Sequence, residues 1–139
     1  MKKLTPISAI MSTDLITLSV FDSLEDAEKL FKKHKIRHIP ITTDNKIVGM
    51  LSYSDLLRIS FADATNNEQQ IDAFVYKMFT IEQVMAKNLT VVDPNTSIKE
   101  VAKLFSEKEF HALPVLQNNN LKGIVTTTDL NLYLLAQLN

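Results

Sequence analysis

Three observations predict an α+β fold built from two similar halves. The sequence repeats itself at a shift of 74 residues without a gap, and apolar residues in each copy switch between strand and helix periods. The third is a stretch that closes each copy: Gly49-Met50-Leu51-Ser52-Tyr53-Ser54-Asp55 returns as Gly123-Ile124-Val125-Thr126-Thr127-Thr128-Asp129, each followed by a leucine. The same shift aligns Ile7 with Ile81, Met11 with Met85, Ser23 with Ser97, Lys29-Leu30-Phe31 with Lys103-Leu104-Phe105, and Pro40 with Pro114. So long a period means duplicated small domains, not a solenoid. The expected division is residues 1–60 for the first repeat, 61–80 for a polar loop and linker helix, and 81–139 for the second repeat.

In the first copy, Leu15-Ile16-Thr17-Leu18 is β-prone. Ser23-Leu24-Glu25-Asp26 then places a hydroxyl cap three residues before an acid, with Leu24, Ala27, Leu30 and Phe31 at helical spacing. Ser97-Ile98-Lys99-Glu100 repeats the start, followed by Val101, Ala102, Leu104 and Phe105. After each helix comes an extended segment around a proline, Ile36-Arg37-His38-Ile39-Pro40-Ile41 and Phe110-His111-Ala112-Leu113-Pro114-Val115; proline turns the residue before it away from helix. Turn residues Thr43-Asp44-Asn45-Lys46 and Gln117-Asn118-Asn119-Asn120 lead into the next apolar run and make a hairpin. A last helix starts near Ser54 and near Thr128, so each unit reads β-α-β-β-α. Between the copies, 62–70 is polar and turn-rich. Ile71, Phe74, Val75, Met78 and Phe79 then form an apolar helical stripe, suited to packing across the repeats or to a dimer or partner face.

Composition narrows the function. Fifteen Lys and Arg against 16 Asp and Glu in 139 residues supply no general field for nucleic acid. The absence of cysteine removes disulfides, thiolate metal sites and thiol catalysis. Pro6 and Ser8 interrupt the N-terminus before any signal-like apolar region develops, and no apolar run is long enough to span a bilayer. A cytoplasmic protein without membrane attachment is expected. His34 and His38 are four apart, but Pro40 takes the chain out of helix, and no carboxylate cluster completes a metal set. No nucleophile elbow or phosphate loop is present, so neither catalytic nor metal residues are assigned.

The two Gly-to-Asp stretches read as strand-to-helix junctions, where unpartnered N–H groups can hold anions. Ser52-x-x-Asp55 and Thr126-x-x-Asp129 are equally a helix-capping pattern, and the two readings are compatible. Lys32, Lys33 and Lys35 suit the C-terminal end of a helix dipole, whereas Arg37 and His38 lie on the pre-proline segment.

A tandem pair of such units, each with an apolar-x-x-apolar-Pro strand and a Gly-apolar-x-Ser/Thr-x-x-Asp ending, resembles the CBS domain family in the arrangement called a Bateman module. The resemblance covers about residues 7 to 139 except the polar insertion. It implies a pseudo-twofold pair of repeats that binds adenosine-containing ligands such as AMP, ADP, ATP or S-adenosylmethionine, commonly as a homodimer. It also implies clefts shared between repeats: Ser52, Ser54 and Asp55 with Thr90, Phe110 and His111, and Thr126, Thr128 and Asp129 with Ile16, Ile36, Arg37 and His38. In this scheme the Asp accepts from ribose hydroxyls, hydroxyls and helix N–H groups hold phosphate, and apolar residues enclose adenine. The cleft of Asp129 and Arg37 is expected to hold a phosphorylated ligand more tightly than that of Asp55 and His111. The expected function is ligand sensing that signals to a partner protein, without enzyme activity and without a catalytic cofactor. The alternative is a ligand-free dimerisation or interaction module. Leu57, Ile59 and Phe61, with Leu132, Tyr133, Leu135 and Leu138, are the expected dimer face.

Overall fold

The first helix of each half begins where a serine hydroxyl replaces a missing helical partner. In the computed structural model, which describes residues 5–62 and 75–138 apart from the side chains of 61 and 62, the elements follow the expected order. They are a 3-10 turn (Ile7–Ala9), β1 (Leu18–Ser19), α1 (Leu24–His34), β2 (His38–Thr43), β3 (Lys46–Ser52), α2 (Tyr53–Ala62), α3 (Ile81–Val84), α4 (Ile98–Glu107), β4 (Ala112–Gln117), β5 (Asn120–Thr126) and α5 (Thr127–Gln137). Ser23 Oγ accepts from the Asp26 N–H at 3.0 Å while the Asp26 carboxylate accepts from the Ser23 N–H at 3.2 Å, a reciprocal capping box. At α4, Ser97 Oγ accepts from the Glu100 N–H at 3.1 Å. The fold is α+β with two repeats, as the periodicity predicts.

The chain groups into two compact units that divide it elsewhere than the sequence repeats do: Ile16–Asn88, and Leu89–Asn139 together with Met1–Leu15. In the first unit β1 lies parallel to β2 (Leu18 opposite Ile41), and β2 and β3 form a hairpin with His38 opposite Ser52. The hairpin turns on Asp44 and Asn45 at φ 51° and 64°, the left-handed pair that a two-residue connection with the strands' own twist requires. Leu24, Phe31, Ile39, Ile41, Leu51 and Leu56 form the core, and the second repeat's opening segment adds Ile81 and Met85 to it. That segment also pairs with β3: the Met50 N–H donates to the Ala86 carbonyl at 3.0 Å and the Ala86 N–H to the Met50 carbonyl at 2.9 Å.

The second unit mirrors this arrangement. β4 and β5 form a hairpin turning on Asn118 and Asn119 at φ 53° and 65°. Its closing segment is the chain's N-terminal part. The Ile7 N–H donates to the Thr96 carbonyl at 2.6 Å, the Ile98 N–H to the Thr5 carbonyl at 2.8 Å, and Ser12 exchanges two bonds with Ile124 at 2.8 and 3.0 Å. Ile7, Val101, Leu113, Val115, Val125 and Leu130 make its core.

This crossing explains the glycines. A Cβ at Gly123 would lie 2.7 Å from Met11 Sδ and 2.9 Å from the Ser12 carbonyl oxygen; at Gly49 it would meet Met85 Sδ and stand 3.0 Å from the Ala86 oxygen. Glycine opens each Gly-to-Asp stretch because another backbone passes against it.

Some details differ from expectation. The first strand lies at Leu18–Ser19 instead of Leu15–Leu18, and in the second unit it shrinks to a single parallel bridge between Val92 and Val115. Both depend on a neighbouring strand, not on local propensity. Within the linker stripe, Ile71 and Phe74 lie outside the described residues, as does most of the polar stretch 62–70. Val75 and Tyr76 are buried, while Met78 and Phe79 are exposed. Tyr76 is the member that the spacing omitted: its hydroxyl donates to Glu28 Oε2 at 2.9 Å, so the aromatic body packs while its polar end finds a partner.

Candidate functional site

Each strand-to-helix junction is a capping box. The Ser52 N–H donates to Asp55 Oδ2 at 2.9 Å and the Asp55 N–H to Ser52 Oγ at 3.0 Å; the Thr126 N–H donates to Asp129 Oδ2 at 2.9 Å and the Asp129 N–H to Thr126 Oγ1 at 3.1 Å. The capping reading of Ser/Thr-x-x-Asp therefore holds at both junctions, and it takes up one carboxylate oxygen and the first hydroxyl.

The pre-proline segment takes another donor. The Tyr53 N–H donates to the Arg37 carbonyl at 2.9 Å, and the Thr127 N–H to the His111 carbonyl at 3.0 Å. Of the N–H groups from cap residue to third helical residue, only that of Ser54 or Thr128 has no protein acceptor among the described residues. Both residues are exposed, so each helix start offers a hydroxyl and an N–H on the same residue. Phosphate binding by a whole ring of helix N–H groups is thus reduced to this pair, and the Asp two positions into the helix from the cap's neighbour adds negative charge against it.

The junctions differ at the second carboxylate oxygen. Asp55 Oδ1 accepts from Arg58 Nη2, one helical turn on. The aligned position on α5 is Leu132, and among the described residues Asp129 Oδ1 has no partner. Arg58 was outside the sequence-derived candidates, although an acid followed three residues later by arginine on a helix is a legible pairing signal.

Within the first unit, Ile16, Ile36, Arg37, His38, Ser52, Ser54 and Asp55 occur together; within the second, Thr90, Phe110, His111, Thr126, Thr128 and Asp129. Arg37 and His111 are exposed and flank the junction of their own repeat. His38 stands opposite Ser52 across the hairpin. Ile36 packs on the first core, and Phe110 meets Phe105 edge-on at 6.1 Å between centroids, so part of each side chain is structural. Ile16 and Thr90 are half-buried, just before β1 and before the Val92 bridge respectively.

A shallow concavity of about 590 Å³ on the second unit is lined by Asp93, Thr96, Glu100, Leu104 and Asn118 among others, and shares none of these candidates. Its two carboxylates disfavour an anionic ligand. Among the described residues no group of three or more His, Asp or Glu could hold a metal ion, and no helix is long and apolar enough to cross a membrane.

The sequence pattern of the CBS domain matches residues 7–62 and 81–136. CBS domain-containing protein YhcV of Bacillus subtilis is 27% identical over 120 residues, 86% of this chain and 79% of that protein. The CBS domain pair of protein MJ0100, solved with 5′-methylthioadenosine and S-adenosyl-L-methionine, matches with a TM-score of 0.81 at 25% identity, covering 96% of this chain and 98% of that one. A homoserine O-acetyltransferase of Methanohalobium evestigatum is 26% identical over 129 residues, which are 91% of this chain and only 24% of the enzyme. The same kind of unit thus occurs in a protein of similar length and as a small part of a larger enzyme.

Proposed function

The chain belongs to the CBS domain family, as a tandem pair, and we propose that it is a regulatory module that binds an adenosine-containing ligand at its strand-to-helix junctions and signals to a partner protein. The observation that carries this reading is the half-buried Asp129, whose cap leaves one oxygen open beside the exposed hydroxyl and N–H of Thr128. An acceptor next to donors suits a ribose hydroxyl better than a phosphate, because the carboxylate repels the latter. The bound ligands of the MJ0100 pair, both adenosine derivatives, support the same chemical class. Ligand binding that favours one of two arrangements would shift the population that a partner protein meets.

The test is a melting-curve and calorimetric panel with S-adenosylmethionine, 5′-methylthioadenosine, AMP, ADP and ATP. A ligand at 100 times its Kd stabilises by about 2.7 kcal/mol, which a melting curve resolves. Asp129→Ala should abolish or strongly weaken binding at its junction. The grouping of Asp129 with Arg37, carried by the family resemblance, is checked with AMP in a double-mutant cycle of Asp129→Ala and Arg37→Ala: additive losses would separate the two residues. No stabilisation by any of the five compounds would sink the reading.

A second reading, a ligand-free dimerisation module, draws on the apolar surface of α5, where Leu132, Leu134, Leu135 and Leu138 are exposed, and on Leu57 of α2. A concentration-dependent sedimentation profile without any ligand effect would favour it.

A further inference from the structure

We infer that Arg58 sets the ligand preference between the two junctions, by competing with a ribose hydroxyl for Asp55 and so leaving Asp129 as the tighter acceptor. The inference rests on the adenosine-binding reading above. Both carboxylates already accept the cap N–H at Oδ2, so Oδ1 is the less encumbered acceptor for a hydroxyl and the oxygen at which the junctions differ. In the first unit that oxygen faces the Arg58 guanidinium. In the second, α5 carries neither Lys nor Arg along Thr127–Gln137, and Leu132 occupies the aligned position. A hydroxyl approaching Asp55 shares the oxygen with a charged donor or displaces it; one approaching Asp129 displaces only solvent.

The size of the effect follows from the surroundings. The Arg58 side chain is 73% exposed and Asp55 16%. With its guanidinium open to water the pair is weak and salt-sensitive, so the handicap at Asp55 is about two- to fivefold in Kd. It is independent of the ligand's phosphate. That separates it from the advantage expected of Arg37, which applies to phosphorylated ligands only.

The experiment uses 5′-methylthioadenosine, which has no phosphate, titrated calorimetrically into the full chain at low and high salt. Asp129→Ala isolates the Asp55 junction and Asp55→Ala the Asp129 junction. Adding Arg58→Leu to the first should tighten binding about two- to fivefold, and adding Leu132→Arg to the second should weaken it as much, with both effects shrinking at high salt. Melting curves of the variants check that each is folded. Unchanged or weaker binding with Arg58→Leu overturns the inference, the weaker case because it makes Arg58 a ligand contact. Absence of binding to the unsubstituted protein, by this and every other adenosine compound, overturns instead the functional reading and the inference with it.

Discussion

The Ser52–Asp55 and Thr126–Asp129 junctions share a backbone almost bond for bond, yet they present different chemistry. The cap, the donation to the pre-proline carbonyl and the glycine under a crossing strand occur in both. The differences lie on solvent-facing side chains: Arg58 against Leu132, Arg37 against His111, Ser54 against Thr128. Duplication therefore holds what packing and backbone hydrogen bonding demand, and leaves free the side chains that face solvent. A tandem pair can acquire two unlike sites without altering its fold.

Perturbing equivalent positions breaks or sharpens this comparison. The largest effect is expected from Ile7→Ala and Ile81→Ala, both fully buried, at about 2–5 kcal/mol each. Ile7→Ala should speed hydrogen exchange at the Ile124 amide, which is bonded to Ser12, and Ile81→Ala at the Met50 amide, bonded to Ala86. If each variant loosens both amides alike, the units unfold as one and the comparison dissolves. Next come Gly49→Ala and Gly123→Ala, at about 1–3 kcal/mol in urea unfolding. Trimming Met85 or Met11 to Ala should relieve only part of its partner glycine's penalty, because the Ala86 and Ser12 backbone oxygens, 3.0 and 2.9 Å from the added Cβ, stay in place. Complete relief at either site would put the whole strain on its methionine.

Tyr76→Phe removes the bond to Glu28, whose aligned residue is Ala102, and should cost about 1 kcal/mol, seen as faster exchange in the first unit alone. The smallest effect concerns acid. The Ser23 backbone N–H, and then its hydroxyl, hold the Asp26 carboxyl below its ordinary value of 3.8. A lowered carboxylate stabilises the fold above that ordinary value, and the contribution is lost as pH falls through the lowered folded value. The advantage of wild type over Asp26→Asn should thus be full near neutrality and vanish in strong acid. An advantage that persists there would trace to packing instead of the charge.

How much of this could be read in the sequence depended on whether the signal was local. Ser23, Ser97 and the Asp44-Asn45 and Asn118-Asn119 turns act within a few residues of themselves, and the helices and hairpins they predict are present. β1 was misplaced because two residues become a strand only through their parallel partner β2. The pairing of Ser12 with Ile124, and of Ala86 with Met50, leaves no local trace at all. Gly49 and Gly123 were visible as markers, but their cause, a methionine and a backbone oxygen from the other repeat's opening segment, was not. At the candidate site the four-residue motif was ambiguous between cap and ligand. The geometry divides it by atom, Oδ2 to the cap in both copies, and Oδ1 to Arg58 in one copy only.

The crossed opening segments also impose an order of assembly during synthesis. Everything the first unit needs, from β1 to Ala86, has been made by residue 88, so it can close while the ribosome is still translating the second repeat. The second unit has the opposite schedule: Ile7 and Ser12 are made more than eighty residues before their partners Thr96 and Ile124. Ile7 and the pairing edge at Ser12 must wait uncovered until the second repeat is made, which makes the first repeat's opening segment the place where a chaperone would be needed and where premature pairing would do harm.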